Sequence, residues 1–392
     1  MTADTNARTS AKPILAKEAF IGLDGGVTHL AAGGETPPLK AVTHAIASFL
    51  EQKSRGMAGR DEFVEHYLAV KLRLARHLEL PPSAAARIAF LGSAAEGINR
   101  FAEGLDWRPD DEIISLTDEY PNALVPWLAR SRHGVRLVAV DPLDAAETAI
   151  AAAVTPRTKA ICVSHVNYLN GRRLRLDRLR HIADSCGALL VVDASQSLGV
   201  LPVDADMCDV MVSCCYKFIL GIHGVGIFYC SEAVLERLSP TMVGWHSIDW
   251  PSLPARSRTY QLKNDAARLE LGNPPFMGVV ALDEGLKLLE SVPAARLEAH
   301  VMSLGRDLRA GLDLLGAPVW ARSDEDRMSA NVVFGSTDAD SVVRALAAEG
   351  VLAWSGDDRV RLSLHGYNDD SDVTTALDAL AKLDVAGNQA GG

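Results

Sequence analysis

The chain has 392 residues, 48% hydrophobic and 23% charged, the balance of a soluble globular protein long enough for two domains or one large α/β body. Its 50 Asp and Glu against 39 Lys and Arg leave a formal charge of −11 with nothing basic concentrated anywhere, which excludes a nucleic-acid partner. No apolar stretch approaches the roughly 20 residues that a membrane-spanning helix needs.

The first residues, MTADTNARTSAK, are polar and lack the apolar core of a signal peptide, so residues 1–17 read as a disordered tail on a cytoplasmic protein. Residues 28–40 form a glycine- and proline-rich loop. Helical spacing follows over 41–80 (Ile46, Phe49, Leu50, then Phe63, Tyr67, Leu68), broken near Arg55–Gly59 and stopped by Pro81-Pro82. A strand, Ile88 to Leu91, turns through Gly92-Ser93-Ala94-Ala95 into a helix beginning near Glu96. Small residues between a strand and a helix N-terminus make an anion site, because free amides and the positive dipole end point the same way; an ordinary βα loop has the same pattern. Residues 111–127 read as strand, loop and helix, 135–141 and 159–171 as further strands, and 176–186 as a helix.

Residues 189–230 hold three short apolar runs bounded by turn signals, which read as buried strands. Leu189–Val192 ends on Asp193, Asp209–Val212 leads to Lys217, and Val225–Tyr229 follows two glycines. Open α/β sheets bind ligands where strands run out. An acid and a lysine at neighbouring strand ends suit pyridoxal phosphate (PLP), which needs an amine for its Schiff base and a carboxylate to keep its ring nitrogen protonated. An ordinary strand-end aspartate beside a solvated lysine satisfies the same spacing. Gln196 is placed to donate to the cofactor's phenolic oxygen, and Gly221, Gly224 and Gly226 to let backbone pass close to Lys217. Beyond Cys230 come an aromatic loop, 244–252, expected as a pocket wall, a helix at about 276–291, and a smaller region, 296–382. In it Arg359–Leu364 alternates as a half-buried strand should. The six cysteines (Cys162, Cys186, Cys208, Cys214, Cys215, Cys230) show no metal-ligand spacing, so no metal is expected and they read as buried free thiols.

The run D-A-S-Q-S-L-G-V, followed by Y-K-F-I-L-G-I-H-G-V-G-I-F-Y, resembles the class V aminotransferase family of PLP enzymes, and the similarity extends from about residue 28 to about 380. That family includes cysteine desulfurases, selenocysteine lyases, kynureninases and isopenicillin N epimerase-like proteins. The resemblance implies an α/β, type I PLP-dependent transferase fold: a large domain with a mostly parallel sheet (18–275), a smaller C-terminal α/β domain (276–385) and a tail (386–392). It implies PLP as cofactor, an amino-acid substrate and a homodimer with shared active sites. Lys217, Asp193 and Tyr120 become the catalytic residues, with Tyr120 of Glu119-Tyr120-Pro121 stacking on the pyridine; mere packing on Trp127 is the plainer role. Ser93, Ala94 and Ala95 hold the phosphate; many relatives carry hydroxyls at the two alanines, which leaves more to Ser93 and the amides. Asn167 and Tyr168 match positions near the phenolic oxygen, Tyr216 flanks Lys217, and Asn273 in 269–274 reaches the partner's phosphate. Arg361, in a match to R-x-S-x-x-x-Y-N, grips the substrate carboxylate, while Arg359 is expected at the surface beside Asp357, Asp358, Asp369 or Asp370.

The resemblance implies that an amino acid displaces Lys217 from its aldimine and that the freed lysine takes the Cα proton, leading to transamination or C–S β-elimination. Epimerisation of the isopenicillin N type is the alternative, and decarboxylation stays open. A PLP-binding protein without catalysis is disfavoured because Lys217 and Arg361 are both present. A dinucleotide-binding module is disfavoured because Gly92–Gly97 lacks the glycine fingerprint. The absence of cysteine after Cys230 is expected to exclude a persulfide-forming cysteine desulfurase.

Overall fold

The computed structural model describes residues 12–142, 145–321, 327–383 and 385. In chain order the strands are β1 (Thr28–His29), β2 (Ile88–Leu91), β3 (Glu112–Leu116), β4 (Arg136–Val140), β5 (Thr158–Ser164), β6 (Leu189–Asp193), β7 (Val210–Cys214), β8 (Gly226–Cys230), β9 (Ile248–Asp249), β10 (Gln261–Leu262), β11 (Asn331–Gly335), β12 (Val351–Leu352), β13 (Trp354–Gly356) and β14 (Arg359–Ser363). The helices are α1 (Lys40–Lys53), α2 (Met57–His77), α3 (Ala94–Gly104), α4 (Pro121–Arg130), α5 (Ala146–Ala153), α6 (Leu176–Cys186), α7 (Glu232–Arg237), α8 (Phe276–Glu290), α9 (Ala294–Leu314), α10 (Ala339–Ala348) and α11 (Asp370–Ala381).

A seven-stranded sheet, ordered β2-β8-β7-β6-β5-β3-β4, carries the large unit. From β4 to β7 neighbours run parallel, and β8 lies antiparallel to both β7 and β2. Helices on both faces remove alternation from the inner strands, so β5 to β8 read as apolar runs, while edge strand β4 stays partly exposed. One apolar cluster fills the face under α3 and α4, around Phe101, Trp127 and Phe228. The other runs unbroken from the opposite face into the C-terminal unit, joining Leu190 and Ile227 to Val360, Leu362 and Tyr367. That unit holds an antiparallel sheet ordered β11-β14-β13. Among the described residues no helix is long and apolar enough to cross a membrane.

Three expectations need correction. Residues 12–17 are not a free tail: Leu15 is buried, the amides of Ile14 and Leu15 donate to Gly366, and Lys17 bridges Asp369 and Asp372. Residues 1–11 and 386–392 lie outside the described residues. The N-terminal segment also departs from an 18–275 division, because β1 pairs in parallel with β12. Secondly, α2 ends at His77, before Pro81-Pro82, where Glu79 turns with φ 57°. Thirdly, β14 is buried along its whole length rather than half-buried, because the large unit covers its second face.

Candidate active site

β6 and β7 are parallel neighbours, so Asp193 and the turn carrying Lys217 reach the same end of the sheet. The lysine backbone is held from outside that sheet. Thr36 donates from Oγ1 to the carbonyls of Tyr216 and Lys217, at 3.1 Å each, which places loop 28–40 directly over the lysine. Lys217 Nζ lies 5.9 Å from the Tyr120 ring centroid and 5.6 Å from that of Tyr216. Tyr216 in turn stacks on His223 at 3.9 Å.

Tyr120 is 42% exposed and packs edge-on against Tyr168 at 5.0 Å, not on Trp127, which lies against Phe101 and Trp107. One aromatic face is therefore open at the strand ends. Behind it Glu119 accepts from the Ser164 amide and hydroxyl; burial pushes its carboxyl up to about 7. Asn167, expected near the cofactor, is used within its own turn: Nδ2 donates to Asp118 O, and Oδ1 accepts from Leu169 and Asn170.

Asp193 is buried, accepts from the Ser195 amide at 2.8 Å, and has no ion pair among the described residues. Burial raises its carboxyl above the usual range, against the pull of Ser195 hydrogen bonding and the Lys217 charge. A buried acid that lacks a cation fits a ring nitrogen that must stay protonated. Gln196 donates from Nε2 to Gly33 O at 2.9 Å and accepts from Asn331 Nδ2 at 3.0 Å, which leaves one amide hydrogen for a ligand. Gly33 is obligatory here: a Cβ would lie 2.6 Å from Ser363 Oγ and 2.7 Å from Asn331 Oδ1. Both of those oxygens are buried without a partner.

At the expected phosphate turn, Ser93 caps α3 by accepting from the Glu96 amide at 3.1 Å, and Glu96 takes the Gly92 amide at 2.9 Å. Ser93 thus serves the helix first, and the first-turn amides of Ala94 and Ala95 are the ones an intrahelical bond does not use. Gly226 works here rather than beside Lys217, since a Cβ on it would lie 2.2 Å from the Ser93 carbonyl carbon. Gly221 does lie by the lysine turn, donating to Cys215 O at 2.7 Å, whereas Gly224 faces open space. Loop 269–275 borders the same turn around a cavity of about 250 Å³, with Asn273 accepting from Arg60. Its base is Glu270, buried against Tyr67 and Lys71. The 244–252 loop packs on this side too, with Arg60 over Trp245.

β14 brings Arg361 to the site, only 3% exposed, with Nη1 donating to Tyr168 O at 3.0 Å and Nε unpartnered. Burial, aided by the Arg359 charge, pulls its pKa down to about 10, so it stays cationic at neutral pH. Arg359 is not a surface residue. It pairs with Asp357, as one of the acids expected, but is fully buried because Trp354 and Tyr168 enclose it. Sequence reasoning passed over Trp354, Thr36, Asn331 and the role of His365, whose Nε2 bonds Phe218 O. Only His365 carried a signal, its place inside the arginine motif.

The aminotransferase class-V sequence profile matches residues 34–375. The chain is 30% identical to a protein of Pseudomonas putida described as a "Probable cysteine desulfurase", over 75% of this chain and 77% of that one. It is 26% identical to cysteine desulfurase CsdA of Escherichia coli, over 72% of each. The fold matches a cysteine desulfurase structure from Thermococcus onnurineus with a TM-score of 0.86 at 23% identity, covering 95% of this chain and 98% of that one. These relatives overturn the exclusion of persulfide-forming desulfurases. The buried Asp193, without an ion pair among the described residues, and the open Tyr120 ring beside Lys217 fit the family's cofactor. The chain belongs to the aminotransferase class-V family of PLP-dependent enzymes.

Proposed function

We propose that this enzyme is of the cysteine desulfurase type and releases sulfur from a cysteine-like α-amino acid. The observation that carries the reading is the meeting of Lys217 and Asp193, from adjacent strand ends, with Arg361 from the C-terminal unit. The cysteine desulfurases among its relatives support the sulfur substrate.

When bound, the cofactor supplies an electron sink for the substrate Cα. The residues do the rest. Arg361 holds the α-carboxylate and thereby aims the Cα–H bond, Lys217 Nζ takes that proton, and Tyr120 fixes the plane in which the charge spreads. Asp193 keeps the ring nitrogen protonated from a site that water does not reach. Two copies complete each other in this reading, with loop 269–274 reaching the partner's phosphate turn; exposed Leu271, Met277 and Trp245 flank it and are the surface such a contact covers.

The experiment is turnover of L-cysteine with excess dithiothreitol, whose thiols accept the sulfur and supply the two electrons needed to give alanine and sulfide, alongside borohydride trapping and peptide mapping. Equal amounts of alanine and sulfide, with the label on Lys217, are expected. Keto-acid formation without sulfide, or a label on another lysine, defeats the reading.

A further inference from the structure

Side chains two residues apart in a strand leave on one face, so Arg359, Arg361 and Ser363 of β14 form a row facing the large unit. Arg361 suffices for the α-carboxylate. Arg359 has no part in that role, yet its surroundings are elaborate. Its Cζ lies 5.2 Å from the Tyr168 ring and 4.8 Å from the Trp354 ring. Nη1 donates to Gly356 O at 2.8 Å and to Asp357 Oδ2 at 2.7 Å. The opposite edge, Nε with Nη2, is buried and has no partner among the described residues. That edge is one of the forks by which arginine takes a carboxylate through two parallel hydrogen bonds. Buried donors are nearly always paired, and an unpaired charged pair on one edge calls for an explanation.

The neighbours make a compartment around it. The residues paired with Arg359 across β14 are both glycines, Gly335 on β11 and Gly356 on β13. A Cβ on the first would lie 2.9 Å from Trp320 Nε1, and on the second 2.4 Å from the Trp354 ring, so two indoles close over the glycines. At the hairpin tip Asp357 and Asp358 both hold positive φ, 49° and 52°, a costly conformation for residues with a side chain. There Asp357 meets one edge of Arg359 and leaves the fork free.

We propose that Arg359 is a second carboxylate anchor, so that the cysteine-like substrate carries a further carboxylate at the end of its side chain. The inference rests on the reading of Arg361 as the α-carboxylate anchor. Two residues along a strand span about 6.6 Å, a separation that acids of the size of glutamate or 2-aminoadipate bridge. Trp354 lies against both guanidinium groups, 4.8 Å from Arg359 and 4.7 Å from Arg361, and offers its face to the carbon chain between the two acids. Tyr168 and Trp354, the two rings that enclose the fork, are each half-buried.

The test is calorimetry on the holoenzyme with glutarate and butyrate as probes, together with the cofactor absorbance on adding L-glutamate, L-cysteine or 2-aminobutyrate. Glutarate is expected to bind at least about 30-fold tighter than butyrate, the low end of what a buried charge pair contributes. Arg359→Met should abolish that preference and leave butyrate unchanged, while Arg361→Lys should weaken both. Arg359→Lys keeps charge and bulk without the fork, and should lose most of the preference even where the methionine variant does not fold. Equal affinity for the two acids in the wild type, or equal losses for both in Arg359→Lys, overturns the proposal. A cofactor response to neutral amino acids through Arg361, without any preference for glutarate, leaves the proposed function standing and removes this inference alone. No response to any amino acid removes both.

Discussion

His365 donates from Nε2 to the carbonyl of Phe218, 2.8 Å away and one residue past Lys217. Its Nδ1 accepts from the Gly366 amide at 2.7 Å, which fixes the proton on Nε2. Burial keeps the ring neutral, pulling its pKa down to about 4, and Tyr367 and Phe218 stack on either side. The segment that carries Arg361 therefore also grips the peptide beside Lys217. His365→Leu should lower kcat by about 10- to 100-fold with little change in KM, since small misplacements of a reacting group cost that much. His365→Gln, which can still donate, should recover much of the rate. Steady-state kinetics of the two variants decide it, and equal losses would leave the histidine a packing role only.

Gly226→Ala drives a methyl group into the backbone of the phosphate turn, 2.2 Å from the Ser93 carbonyl carbon and 2.7 Å from the Ala94 nitrogen. Neither atom is the tip of a flexible side chain, so β8 or α3 must shift. A loss of about 3 kcal/mol in stability is expected, as for an overpacked core. Weaker cofactor binding should accompany it, read by urea unfolding and by titration of the apoenzyme with PLP. Unchanged PLP affinity would separate this turn from the cofactor.

Arg361→Ala should reduce kcat/KM for an amino acid by about 30- to several thousand-fold, because truncating one partner of a buried charge pair costs roughly 2–5 kcal/mol. PLP occupancy should hardly change. Lysine at the position should rescue only in part, since an ammonium lacks the planar fork. Loss of bound cofactor in the alanine variant, measured by absorbance, would place Arg361 elsewhere in the site.

Glu119 gives a pH signature. Its folded pKa of about 7 lies above the ordinary 4.5, so the fold favours the neutral acid. The associated stabilisation is complete below 4.5 and is lost as pH rises through 7. The loss approaches about 3–4 kcal/mol, at about 1.4 kcal/mol for each pH unit between the two values. Glu119→Gln keeps both bonds to Ser164 within reach and does not titrate. Relative to wild type, its unfolding free energy should therefore improve between about pH 5 and about pH 8. A difference that stays flat across that range would mean that Glu119 is ionised in the folded protein.

The strand ends were legible because the sheet is covered on both faces, which turns β6, β7 and β8 into short apolar runs with Asp193 and Lys217 just beyond them. The same coverage hid Arg359. Alternating residues look identical in a half-exposed strand and in one whose polar face is closed by another unit. Leu15 had no local signal either, since its partner Gly366 lies at the other end of the sequence. Gln196 drew notice from its place one short turn after Asp193, but its bonds to Gly33 and Asn331 depend on contacts that no spacing encodes. The reaction type was misjudged for a related reason: a missing cysteine is a property of one stretch, whereas C–S cleavage belongs to an assembly.

The pairing of β1 with β12 bears on the order in which this molecule is built. Thr28 Oγ1 donates to Asp372, a partner 344 residues away. During synthesis residues 28 and 29 emerge long before their partners at 351, 352 and 372. The strands of the large sheet, all before residue 231, are translated well before them. Domains fold as their residues become available, and contacts this distant close late. A ribosome-bound chain thus displays Lys217 on a formed sheet before Arg361 and His365 exist to flank it. The contacts of β1 with β12 and with Asp372 form only after both of those later segments have been made.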